Sequence, residues 1–120
     1  MNALIAAFRN SLRGLNFAAR TERAVQQELV ALILAIPAAL LISDNVWVYV
    51  SLIGVILLAL AVELLNTAIE KLCDHVTPHH DLTIGLIKDM GSAAVLCALG
   101  LAWLIWTTAL LLAVTRLFSA

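Results

Sequence analysis

Charge is scarce in this sequence: 12% of its 120 residues are ionic, where a soluble domain carries about 25%. So few ionic groups cannot coat a soluble surface, which also excludes a disordered tail. Seven basic against eight acidic side chains leave no polycationic face for nucleic acid. Cysteine is scarce as well. Cys73 and Cys97 are too few for a disulfide scaffold, and they lie in or beside apolar runs where reduced thiols act as small hydrophobes. No Gly-rich loop ending in Gly-Lys-Ser or Gly-Lys-Thr occurs, so a P-loop is excluded. Nor is there a linker, a low-complexity tract, an internal repeat or a second domain.

Apolar residues are abundant: they make up 63% of the chain, and mean hydropathy is +1.04. Three stretches are free of charge, residues 29–43, 45–62 and 90–115, holding 15, 18 and 26 residues. About 20 residues cross a hydrocarbon core roughly 30 Å thick. The third run is long enough by itself, at about 39 Å. The first reaches only about 22 Å, so its helix must draw Gln26, Gln27 and Glu28 to the lipid boundary. Glu63 is drawn there at the end of the second run. A soluble helical bundle would need charged outer stripes that these runs lack, and a membrane β-barrel would need alternation. The expected fold is all-α, with membrane helices over 22–43, 46–73 and 82–117 after a surface helix over 1–20.

In that first segment Leu4, Ile5, Phe8, Leu12 and Leu15 recur at spacings of three and four beside Arg9, Arg13 and Arg20. The pattern fits an amphipathic helix lying in the membrane interface, or a solvated helix docked on the bundle. A cleaved leader is not expected, because Arg9, Arg13, Arg20, Glu22 and Arg23 interrupt any apolar leader core. If the amino terminus is cytoplasmic, Arg9, Arg13, Arg20, Arg23, Lys71 and Lys88 all lie inside and only Arg116 lies outside, the sense that the lysine and arginine bias favours. Ser43-Asp44-Asn45 then turns on the outer face, and a loop over 73–81 containing Pro78 turns on the inner face.

The polar residues gather on one face. Glu63, Asn66, Glu70 and Asp74 fall within an arc of roughly 80° on a helix, and Glu70 lies about 10 Å beyond Glu63 toward the cytoplasm. Leu64, Leu65, Ala68, Ile69 and Leu72 keep the other side. One reading is a snorkelling or bundle-facing polar edge. The other is a site, with Glu63 at headgroup depth for a lipid group and Glu70 within reach of water for a cation or soluble cosubstrate. Four aligned acceptors repel one another, and no matching cation shares their face of the helix. A divalent ion such as magnesium would neutralise them through oxygen ligands. Glu22 and Glu28, about 240° apart on the first span, must address different partners. Lys88-Asp89 opens the third span either as a site pair or as a capping charge pair. Gly91, Ser92, Ala93 and Ala94 follow it, and Ala94, Ala98 and Ala102 form a seam for close helix packing. Cys73, Asp74, His79 and His80 match no zinc spacing and read as a plain loop.

Val62-Glu63-Leu64-Leu65-Asn66-Thr67-Ala68-Ile69-Glu70, followed by Lys88-Asp89-Met90-Gly91-Ser92-Ala93-Ala94-Val95-Leu96, resembles the signature of the prokaryotic diacylglycerol kinase family. Residues 11–14 and Thr21-Glu22-Arg23-Ala24 with Gln27-Glu28 resemble its amino-terminal portion. The resemblance implies a small lipid kinase of the bacterial inner membrane, a homotrimer with sites shared between neighbouring chains. It implies phosphorylation of diacylglycerol to phosphatidate with ATP as cosubstrate and Mg2+ as cofactor. By matched position, Glu63 would be the general base and Glu22 and Glu70 the metal ligands. Lys88 and Asp89 would hold nucleotide together with Asn10, His79, His80 and Asp81. Glu28, Asn66, Ser92 and Trp106 would contact lipid, as would Glu63.

Two positions depart from the best-known members, which carry an arginine and a tyrosine at the nucleotide where this chain has Ala3 and Asn10. Related Gram-positive enzymes phosphorylate undecaprenol with a variant lysine-aspartate motif, and Met90-Gly91-Ser92 favours the diacylglycerol type. A small membrane carrier is a further alternative, but its acid should lie near the bilayer midplane. With no P-loop, ATP would rest on helix faces and a loop, so weak nucleotide binding is expected.

Overall fold

The computed structural model describes residues 2–119. Within them the chain forms α1 (Asn2–Thr21), α2 (Arg23–Ile42), α3 (Val46–Val76) and α4 (Leu82–Ser119). The last three are long and apolar enough to cross a membrane. At 31 and 38 residues, α3 and α4 reach about 46 and 57 Å, well beyond a hydrocarbon core of about 30 Å. That surplus length carries the acids past the lipid boundary.

Each junction has a local cause. Glu22 was expected inside the second helix, but its backbone is extended (φ −115°, ψ 117°). It forms the corner between α1 and α2, accepting at its carbonyl from the Gln26 N–H at 3.1 Å and donating its own N–H to the Ala18 carbonyl at 2.8 Å. The Ser43–Asn45 turn stands where the sequence puts it, with Asn45 Oδ1 capping α3 by accepting from the N–H groups of Trp47 and Val48 at 2.9 and 3.4 Å. The third helix runs to Val76, three residues past the expected end at 73. Nothing in Asp74-His75-Val76 breaks a helix, whereas Pro78 disfavours helical geometry at Thr77 before it. The loop therefore shortens to 77–81. Asp81 Oδ1 then accepts from the Ile84 N–H at 3.1 Å at the start of α4, which ends at Ser119 and not at 117.

Packing is thin and depends on small residues. Ala18, Val25 and Leu60 form one buried cluster near the α1–α2 corner, and Ala39, Leu52 and Ala109 form another toward the opposite end. Trp106 packs on the second cluster, and its indole N–H donates to the Leu52 carbonyl at 3.0 Å. The outer faces are left uncovered: Ile33, Leu96, Trp103, Leu104 and Leu111 are exposed. Only 6% of the most apolar window of α4 is buried. Such surfaces require an apolar surrounding, lipid or another chain.

Candidate active site

The α3 stripe forms the floor of the site. Glu63 and Asn66 are buried, at 8% and 7% exposure. Glu70 is half-buried and Asp74 exposed. Asn66 Nδ2 donates to Glu70 Oε1 at 3.1 Å, the i to i+4 reach of one helical turn. Asn66 Oδ1 is buried without a donor and faces Gly91 of α4, where a side chain would collide with it.

Two acids arrive from the α1–α2 arm. Glu28 lies close enough to Glu63 for their charges to interact, and Glu22 and Glu70 act on Glu63 in the same way. Four carboxylates from three segments thus lie toward one end of the bundle, within range of the Glu63 charge. Glu28 Oε2 is buried without a partner, at the polar end of an otherwise apolar groove of about 380 Å³. Ala35, Ile56, Ala59 and Leu99 line that groove as far as Trp103 and Trp106. Among the described residues, no three His, Cys, Asp or Glu side chains are grouped to hold an ion by themselves. Glu22 and Glu70 are donors of the type magnesium takes, since such an ion, keeping its waters and sharing a substrate's phosphates, needs only one or two protein carboxylates. Both supply hard oxygen donors at the edge of the bundle.

The acids do have cations near them, contrary to the sequence expectation. Lys71 Nζ lies 3.5 Å from Glu22 Oε2 and 5.5 Å from the centre of the Phe17 ring. Lys88 Nζ donates to Asp74 across the α3–α4 hairpin. The corner at Glu22 and the hairpin at 77–81 produce these pairs, and neither is a spacing within one helix.

Residues 9–110 match the prokaryotic diacylglycerol kinase family. The chain belongs to that family. It is 40% identical over 104 residues to a diacylglycerol kinase of Escherichia coli (strain K12), a match covering 86% of this chain and 84% of the relative. A diacylglycerol kinase of Haemophilus influenzae is 35% identical over 86% of this chain and 87% of its own length. One of Pseudomonas aeruginosa is 41% identical over 84% and 82%.

For a member of the prokaryotic diacylglycerol kinase family, the remaining expected site residues lie as follows. His79, His80 and Asp81 are exposed in the short loop, and Asp81 is also engaged as a cap. Asn10 is exposed on α1, and Asp89 and Ser92 are exposed on α4. Asn66, expected at the lipid, holds Glu70 through its amide. Trp106 lines the groove that contains Glu28. Lys71 and Gly91 were missing from the expected site. Lys71 had one signal, as a cation directly beside Glu70. The proximity of Gly91 to Asn66 had none, because it depends on how two helices meet.

Proposed function

We propose that this chain transfers the γ-phosphate of ATP to the free hydroxyl of diacylglycerol, giving phosphatidate and ADP at the cytoplasmic face of a bacterial inner membrane. One observation carries the reading. Glu28 stands at the polar end of an apolar groove, close enough to Glu63 for their charges to interact, while Glu22 and Glu70 act on the Glu63 carboxylate from the α1–α2 corner and the outer turns of α3. Acyl chains suit the groove, the lipid hydroxyl suits its polar end, and a water-borne triphosphate suits the outer acids. The diacylglycerol kinases to which the chain is similar support the same substrate.

Phosphoryl transfer asks the protein mainly for alignment and charge stabilisation. Glu63 accepts the hydroxyl proton as the lipid oxygen bonds to the γ-phosphorus. The bond from phosphorus to the β,γ-bridging oxygen breaks, ADP departs, and Glu63 returns its proton to water. Glu22 and Glu70 would hold Mg2+, which would offset phosphate charge when bound. Glu22 must exchange its Lys71 contact to do so. Lys88 adds positive charge at the phosphates and Asp89 helps hold the nucleotide, with Asn10, His79, His80 and Asp81 along it. Ser92 and Trp106 contact lipid.

The chain works as a homotrimer, which supplies apolar partners for the unburied faces of α4. Its amino terminus is cytoplasmic by the lysine and arginine bias. Helix α1 lies in the interface, with Leu4, Phe8 and Leu12, all exposed, toward the acyl boundary and Arg9, Arg13 and Arg20 toward headgroups.

The test is transfer of label from γ-labelled ATP in mixed micelles, with diacylglycerol and undecaprenol offered separately. Labelled phosphatidate is expected. Label on undecaprenol alone would overturn the lipid assignment, and transfer to neither would overturn the kinase reading.

A further inference from the structure

We infer that Gly91 of α4 is a positioning residue for the carboxylate of Glu70, acting through Asn66. The inference rests on the functional reading above for what Glu70 does. Its geometry stands independently.

Gly91 is buried in the third turn of a regular helix, where glycine is a poor choice on propensity alone. Its φ is not positive, so the backbone makes no demand for glycine. The demand comes from across the interface. A Cβ built at Gly91 would collide with Asn66 Oδ1 and would come within 3.4 Å of its Cγ, whereas Gly14, Gly54, Gly85 and Gly100 all have open space at that point. Gly91 alone among the five glycines meets a polar side chain of the site.

The missing Cβ fixes how the amide lies. Asn66 is buried, and its carbonyl oxygen points into the gap at Gly91 while its Nδ2 donates to Glu70 Oε1. Oxygen toward α4 and nitrogen toward Glu70 form a single orientation. Turning the amide over would set its carbonyl against a carboxylate oxygen, two acceptors in repulsion. A methyl group at 91 would push Asn66 off this pose, and Glu70 would lose the donor that holds it. The buried Oδ1 has no donor of its own, so packing rather than a second hydrogen bond keeps the amide in place.

The test is a cycle of Gly91→Ala, Asn66→Ala and both together in the purified full chain, read by thermal unfolding, assembly size, and separate titrations of MgATP and lipid. Gly91→Ala should lower kcat/KM for MgATP at least about tenfold, the scale on which a misplaced catalytic group acts, and raise the Mg2+ needed for half-activity. The lipid KM should stay within about twofold. Adding Gly91→Ala to Asn66→Ala should cost nothing more in activity or unfolding temperature, because the colliding atom is gone. Full activity of Gly91→Ala would overturn the inference, as would equal further loss in both backgrounds. If Gly91→Ala fails to assemble, recovery of assembly in the double variant supports the contact and its absence refutes it. A parent chain that phosphorylates neither lipid would sink the functional reading and with it the task given to Glu70. The unfolding cycle would still decide whether residues 66 and 91 are coupled.

Discussion

Glu63 combines burial with the charges of Glu22, Glu28 and Glu70 around it, which is why the proposed proton-transfer role is given to it and not to exposed Asp74. Glu63→Gln keeps the shape and removes the base. Turnover should fall by about 10²-fold or more while size-exclusion behaviour stays that of the parent. Substantial activity in that variant would reassign the base. Glu70 is different in kind: half-buried, on the outer turn, and held by Asn66. Glu70→Gln should shift half-saturating Mg2+ upward by about tenfold, the loss of one charged ligand from a site that has few. An unchanged magnesium titration would remove it from the ligand set.

At the scale of elements, the corner at Glu22 decides what α1 and α2 can do together. One extended residue redirects the chain, and Gln26 Nε2 donates back across it to the Ala19 carbonyl at 2.9 Å. Lys71 then ties the corner to α3 through Glu22 and Phe17. The pair is substantially solvent-exposed, so the bridge contributes about 0–1 kcal/mol and the contact with the ring about 0.5–1 kcal/mol. Lys71→Met should therefore lower the unfolding temperature only slightly while speeding hydrogen exchange along the last turns of α1. Exchange rates equal to the parent's would show that the corner holds without Lys71. The helix spans were legible because an unbroken apolar run has one reading at bilayer length. The overrun of α3 to Val76 needed the stop at Thr77-Pro78 to be weighed above the fading hydrophobicity.

For the whole molecule, the direction of Asp89 matters. Gly91 faces α3, and Asp89 lies about 160° away around α4, exposed and turned from its own chain's acids. If Asp89 holds nucleotide, it serves the site of a neighbouring chain. Co-reconstituting Glu63→Gln chains with Asp89→Asn chains, each inactive alone, should restore measurable turnover. No recovery at any mixing ratio would mean that each chain builds a complete site.

The sequence by itself determined that this chain resides in a membrane, where its helices begin within a few residues, and that an acid stripe runs along one face of the second span. Those properties are written in composition and in periods of three and four residues, which are local. Only the tertiary structure decided that Glu28 comes within reach of the Glu63 charge, that Lys71 and Lys88 answer Glu22 and Asp74, and that the Asn66 amide occupies the space a side chain at Gly91 would fill. These contacts depend on the rotation and depth at which helices pack, and that is set by small residues on several helices at once.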